Sequence, residues 1–288
     1  MPGIYKTEAA KEQIMALYDQ KLASLAIDYT HLDVPTSFGR TRVIRTGDPS
    51  AKPIVVFHGI HAGAPLTLEA IKELNDTFCL YVVDTIGQAT KSEFTKLNIN
   101  GPDFGVWANE VFEGLELDRA DVIGVSYGGF IVQKLIANHP ERIDRCVLVV
   151  PAGLANGAFG ESMKKLSWPL LRYTITKKDE HLSTFIRAFS EDDPHHFQFQ
   201  KALLNGVKLD FRRPGILNAQ DVAGFDRPVF LIVASQDIFF PADRSIQKAK
   251  QVFATLKEVH LLKGAKHMPG VHHFSVIQSK IRSWLGTG

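Results

Sequence analysis

The stretch Asp121-Val-Ile-Gly-Val-Ser-Tyr-Gly-Gly-Phe130, running on into Ile131 and Val132, decides the fold of this chain. Val122–Val125 is a short apolar run of the kind that forms a buried strand. Gly124 and Gly128 then flank Ser126 in a sharp turn, and a helical pattern opens at Tyr127 with Phe130, Ile131, Leu135 and Ile136 on one face. Gly-x-Ser-x-Gly between a strand and a helix is the pattern of a nucleophile elbow. The glycines answer crowding: the turn holds the serine in a strained backbone conformation, and strand and helix pass too closely for a Cβ two positions away. The same pentapeptide also arises as a glycine-rich turn, so its weight comes from the strand before it and the helix after it.

Outward from this point the same alternation repeats. Pro53–Phe57, ending at His58-Gly59, is a continuous apolar run, as expected of a strand buried on both faces. Further runs occupy Phe78–Asp84, Arg145–Pro151, Pro228–Ala234 and Glu258–Leu262. Helical patterns fall between and around them at Pro65–Asn75, Phe104–Leu117, Tyr127–Asn138, Ala242–Phe253 and Val271–Leu285. Ahead of this series, residues 7–26 carry a helical stripe (Ile14, Leu17, Tyr18, Leu22, Leu25). Two runs of mixed polarity, Asp28–Pro35 and Arg40–Arg45, follow with a turn at Ser37-Phe-Gly39, which predicts an antiparallel hairpin at a sheet edge. Strands alternating with helices predict an α/β fold with a mostly parallel central sheet flanked by helices.

One segment departs from the rhythm. Between Gly153 and Phe225 no apolar strand occurs, and the text is aromatic, charged and helix-like at Met163–Tyr173, Leu182–Phe189 and His195–Leu204. The expected organisation is therefore a core in two parts, 1–152 and 226–288, with an inserted helical lid at 153–225. A separate small domain is the less favoured reading, because the chain returns directly to a buried strand at Pro228.

Composition excludes several classes of function. Apolar residues make up 45% and charged residues 22% of the 288, as in a globular protein with a sizeable core. Thirty-three basic against 31 acidic residues leave a charge of +2, too small to point to nucleic acid or an acidic membrane. No apolar run approaches the roughly 20 residues that span a bilayer. The start, Met1-Pro-Gly-Ile-Tyr-Lys, lacks the features of a signal peptide. Cys79 and Cys146 each open an apolar run and read as reduced, buried thiols, so the expected location is the cytoplasm.

A serine hydroxyl is a weak nucleophile that needs a base, and the base needs an orienting acid. On this architecture the order is serine, acid, histidine. Asp237 stands just past the carboxyl end of the Val229–Val233 run, where sites of open α/β sheets gather, although an aspartate before Pro241 also suits an Asx turn. His267 follows the last strand in Lys263-Gly-Ala-Lys-His267. Its competitors are His260, inside the strand, and His272 and His273, in the opening turn of the last helix. An oxyanion hole requires two N–H donors, predicted to be the amides of Tyr127 and Ile60, the latter in His58-Gly59-Ile60-His61. His58 and His61 lack a third ligand in a fitting pattern, so no metal is predicted.

Together these residues resemble the α/β-hydrolase superfamily over nearly the whole chain: His58-Gly59, Asp84-Thr-Ile-Gly87 with Lys91-Ser92, Gly124-Val-Ser126-Tyr-Gly128-Gly129, His139-Pro-Glu-Arg142, Asp237 and Gly264-x-x-His267. The Asp-x-Ile-Gly and Lys-Ser elements are similar to bacterial carboxylesterase-type members. Many relatives carry Gly-x-Gly-x-Ser in that loop, whereas Gly87-Gln-Ala-Thr-Lys-Ser92 keeps only the first glycine. Superfamily members with an aspartate nucleophile are disfavoured by Ser126. The expectation is a serine hydrolase without cofactor or metal, acting on carboxylic esters of small-molecule substrates, with Ser126, His267 and Asp237 as its triad. Leu154, Phe159, Trp168 and Phe189 are candidates for lining an acyl pocket. Hydrolysis of a carbon–carbon bond by the same triad is one alternative. A non-enzymatic ligand-binding or signalling protein on the same fold is another.

Overall fold

The protein is described here by a computed structural model covering residues 3–191, 193–210 and 212–286, without the side chain of Phe159. Helix α1 (Glu8–Ser24) leads into a hairpin of β1 (Thr30–Thr36) and β2 (Gly39–Thr46). Then follow β3 (Pro53–Phe57), α2 (Gly63–Ile71), β4 (Cys79–Val83), α3 (Asp103–Gly114), β5 (Ala120–Val125), α4 (Tyr127–Asn138) and β6 (Ile143–Val149). An insertion carries α5 (Phe159–Ser162), α6 (Trp168–Thr176), α7 (Asp179–Arg187) and α8 (Pro194–Gly206), with a π-helical turn at Met163–Ser167 joining α5 to α6. The alternation resumes with β7 (Val229–Ala234), α9 (Ala242–Val252), β8 (Leu256–Leu262) and α10 (Phe274–Leu285).

Among the described residues, eight strands form one sheet in the order β1-β2-β4-β3-β5-β6-β7-β8. The hairpin occupies the edge and pairs antiparallel onto β4, and every later pairing is parallel. Strand β3 shows why its run reads apolar throughout. Ile54 and Val56 point into one core with α1, α2 and α10, while Val55 and Phe57 point into the other with α3 and α4. A period-two backbone between two helical layers leaves no face for water. Cys79 and Cys146 are buried and unpaired.

Local chemistry fixes the element ends. The Thr7 side chain accepts the Ala10 N–H and caps α1. The patterns predicting helices at Pro65–Asn75 and Val271–Leu285 each include a 3₁₀ turn: Lys72–Asp76 closes the first, and Val271–His273 opens the second. Among the contacts that tie the insertion to the rest of the chain, two involve its helices α7 and α8. Its α8 packs on α1 through Phe199, Leu203 and Ile14. Its Leu182, Ile186 and Phe189 share a cluster with Ile238 and Met268, which belong to loops after β7 and β8.

Register positions the site. Phe57 pairs with Gly124, so the loops leaving β3 and β5 emerge side by side. Ala234 pairs with Leu262, and the same follows for the loops leaving β7 and β8. The glycines of the elbow are required at contact level: a Cβ on Gly124 would come within 2.7 Å of the Gly128 carbonyl oxygen, and one on Gly128 would overlap the Phe57 carbonyl. Replacing Gly128 by alanine should therefore cost at least about 3 kcal/mol, because only backbone surrounds it. A thermal melt should fall by on the order of 6 °C or more; a melt within a degree of wild type would contradict the packing argument.

Candidate active site

Ser126 follows β5 with φ 52° and ψ −114°, a conformation costly for any residue with a Cβ. Three backbone hydrogen bonds hold it there. Its N–H donates to Val149 O at 2.9 Å, and its carbonyl accepts from Gly129 and Ala152, both at 2.9 Å. The side chain reaches His267, with Oγ 2.9 Å from Nε2. On the far side of the ring, His267 Nδ1 lies 2.8 Å from Asp237 Oδ2. The other carboxylate oxygen, Oδ1, accepts the amides of Phe239 (2.8 Å) and Phe240 (2.9 Å). Asp237 is thus the Asx-turn residue its sequence context suggests and also the partner of His267, with one oxygen for each task. Phe239 and Phe240 meet the imidazole in edge-on geometry, with centroids 5.0 and 5.3 Å away. All three polar side chains are buried. His272 is separate, paired with Glu191, and His260 lies on β8 as expected.

The loop after β3 lies directly against the serine: a Cβ on Gly59 would sit 3.4 Å from Ser126 Cβ. Gly59 O accepts both the Ala62 N–H (3.0 Å) and the His58 Nδ1–H (2.6 Å), while His58 Nε2 accepts the Thr85 amide at 2.9 Å. This pattern assigns the proton of His58 to Nδ1. His61, at φ 52°, donates its N–H to Gln88 Oε1 at 2.6 Å and accepts the Ala89 amide on Nδ1 at 3.2 Å. The Ile60 amide has no acceptor within the described residues, and the Tyr127 amide, at the first position of α4, has no intrahelical one.

Asp84, Tyr18 and Gln88 are the residues that sequence reasoning did not assign. Asp84, fully buried at the end of β4, accepts from Tyr18 Oη (2.9 Å), Ala64 N (2.9 Å) and Lys91 N (3.1 Å). It joins α1, α2 and the following loop around the Gly59 turn. The available signal was an acid at the end of an otherwise apolar strand, where a buried carboxylate needs several donors. Gln88 follows Gly87 in that loop, and its side-chain oxygen accepts the His61 N–H and braces that turn.

An apolar cavity of about 760 Å³ opens above Ser126 and His267, lined by Ile60, Leu66, Leu170, Phe185, Phe189 and Leu203 among others. Of the four expected pocket residues, Phe189 lines it. Leu154 does not: it is buried in the sheet's own core, because the chain turns back beneath the insertion. Trp168 does not either, since it starts α6 on the outer face and is 59% exposed. The side chain of Phe159 lies outside the described residues.

Three histidines in and around this site are held neutral by burial. His61 and His196 are each lowered to about 4, and His58 is lowered from the ordinary value by the same cause. The unfolded chain takes up these protons near 6.5 and the folded chain only at lower pH, about 4 for His61 and His196, so the unfolded state binds more protons across that interval. Stability should fall as pH drops from about 6.5 towards 4. Urea midpoints measured at pH 7.5, 5.5 and 4.5 test this, and a midpoint that stays level or rises on acidification would contradict it.

The family model described as alpha/beta hydrolase fold matches residues 52–193. Carboxylesterase YbfK of Bacillus subtilis is 25% identical over 281 residues, covering 94% of this chain and 93% of that protein. The crystal structure of carboxylesterase CesB (YbfK) from Bacillus subtilis superposes with a TM-score of 0.82 at 21% identity, covering 97% of this chain and 99% of that one. Naproxen esterase (carboxylesterase NP) from Bacillus subtilis gives 0.81 at 19% identity, covering 95% and 97%. No helix among the described residues is long and apolar enough to cross a membrane. With the sheet order, the elbow and full-length similarity in agreement, the chain has the α/β-hydrolase fold and is similar over its length to bacterial enzymes of the carboxylesterase type.

Proposed function

We propose that this chain is a serine hydrolase that cleaves carboxylic esters of small or medium apolar acyl groups through an acyl-enzyme. The observation that carries the reading is the continuous relay Ser126 Oγ to His267 Nε2 (2.9 Å) and His267 Nδ1 to Asp237 Oδ2 (2.8 Å) at the floor of an apolar cavity. Ser126 Oγ attacks the ester carbonyl carbon as its proton passes to Nε2 of His267. Asp237 holds the ring through Nδ1–H and stabilises the imidazolium. The developing oxyanion takes the amides of Ile60 and Tyr127, the second lying at the positive end of α4. The tetrahedral species collapses with the alcohol leaving on the proton from Nε2, and water then repeats the sequence on the acyl-enzyme. Residues 153–225 act as the lid: Leu170, Phe185, Phe189 and Leu203 from this segment face the acyl group.

Ser126→Ala and His267→Ala should each lower kcat on an aryl ester by about four powers of ten or more, and the double variant little further, because relay members are not additive. A chelator should not lower turnover. Wild-type turnover in Ser126→Ala would end the serine-hydrolase reading. A carbon–carbon bond substrate run beside the esters distinguishes the other chemistry on this relay.

The alcohol side follows from Ile60, a β-branched residue lining the cavity next to the proposed oxyanion donor. Its side chain narrows the space beside the scissile carbonyl and restricts the loop more than a run of glycines would. Esters of primary or aryl alcohols should turn over and tertiary-alkyl esters poorly. The loss should fall in kcat/KM, since a displaced carbonyl misses its donors in the transition state. Comparing n-butyl with tert-butyl acetate in wild type and Ile60→Gly tests this; equal wild-type rates on both would refute the steric argument.

A further inference from the structure

At the mouth of the cavity, away from the relay, Glu191, His272 and His273 bring together one carboxylate oxygen and two imidazole nitrogens, all within 4.8 Å of one another. Glu191 belongs to the insertion, between α7 and α8, and the histidines belong to the turn that opens α10. The Glu191 Oε2 to His272 Nδ1 separation is 3.5 Å, and the two rings lie 4.1 Å apart between centroids. Ligands at the usual zinc distances of about 2.0–2.2 Å stand roughly 3.4 Å apart around a tetrahedral ion. His272, with its side chain 61% exposed, is free of the packing that would fix its ring against such an approach.

We infer that Glu191, His272 and His273 bind a divalent first-row transition-metal ion, and that its occupancy ties the insertion to the core at the mouth of the pocket. Two imidazoles and one carboxylate form a borderline donor set, suited to zinc and its neighbours and not to magnesium or calcium. The two ligand-bearing segments are already in register. Ser190 bridges to Met268, Met268 N–H donates to Phe189 O at 2.9 Å, and Lys266 Nζ donates to Ser190 O at 3.1 Å. Gly270 leaves room for the third ligand, because a Cβ there would overlap the Glu191 carboxylate. Glu191 and Gly270 both line the cavity, so an ion held here fastens the roof next to the path of substrate and product. The ion takes no part in acyl transfer, and its effect is on opening.

The test uses the untagged full chain, treated with chelator and titrated with zinc chloride by calorimetry. One zinc ion should bind per chain in the micromolar range. His272→Asn, His273→Asn and Glu191→Gln should each weaken binding by about tenfold or more. Gly270→Ala, which removes no ligand, should also weaken it. Zinc should raise the melting temperature of wild type and slow its ester turnover, while His272→Asn should keep the zinc-free wild-type rate and ignore the ion in both measurements. Absence of saturable binding, leaving an ordinary carboxylate–imidazole pair, would overturn the site. So would wild-type affinity in His272→Asn. Binding that the variants abolish, with turnover and melting temperature unmoved by zinc in wild type, would overturn the tie between lid and core. The calorimetry reads the site whether or not the chain hydrolyses esters.

Discussion

Ser126 can hold a left-handed backbone only because the parallel ladder continues past the ends of the strands. A non-glycine residue in such a region costs on the order of 1–3 kcal/mol and persists when its surroundings over-determine it. Here Ser126 N–H donates to Val149 O at the end of β6, Val150 N–H donates to Ile232 O in β7, and Ser235 N–H donates to Leu262 O in β8. Val150 is itself β-branched with φ 42°, so strain recurs one strand over and is held by the same stitching. Register set deep in the sheet thereby reaches the loops that carry Ser126, Asp237 and His267. The spacing of these side chains is a property of the sheet and not of the loops alone.

Beneath the loop after β3 the structure maintains a polar network that a purely apolar interior would not need. Asp84 accepts three hydrogen bonds, and the His58 ring spans from Gly59 O to the Thr85 amide. Buried polar groups in this number are tolerable only when each finds a partner, and once satisfied they fix one arrangement in preference to others. The arrangement fixed is a turn whose Ile60 amide is left without an acceptor among the described residues. Neutral imidazoles serve this purpose better than charged ones, because each offers one donor and one acceptor without an ion to desolvate.

Most of the architecture was legible because it rests on periodicity and glycine, which are visible in one dimension. The double-faced strands announce themselves as unbroken apolar runs, and the elbow by glycines at fixed distances from Ser126. Asp237 and His267 were locatable because parallel topology sends every loop after a strand to the same edge. What remained hidden depends on three-dimensional neighbours. Nothing in the local text distinguishes Leu154, folded back into the core, or Trp168, on the outside of α6, from a pocket residue such as Phe189. Gln88 carries no signal of its own in the sequence, and its bond to His61 exists only once two loops 27 residues apart have met.

The insertion and the relay are mechanically one object. Lys266 Nζ donates to Arg187 O at the end of α7 and to Ser190 O, and the backbone of Met268 donates to Phe189 O. Both anchors are immediate neighbours of His267. The aromatic contacts make the same connection through side chains: Phe185 meets Phe189, Phe189 meets Phe239, and Phe239 meets the His267 ring. Packed aromatic rings have few alternative placements, since interiors are dense and rotamers discrete. A change in how the insertion packs over the cavity therefore acts on the ring that meets His267. One aromatic cluster both lines the cavity and meets the imidazole, so the cavity's shape and the relay's alignment vary together.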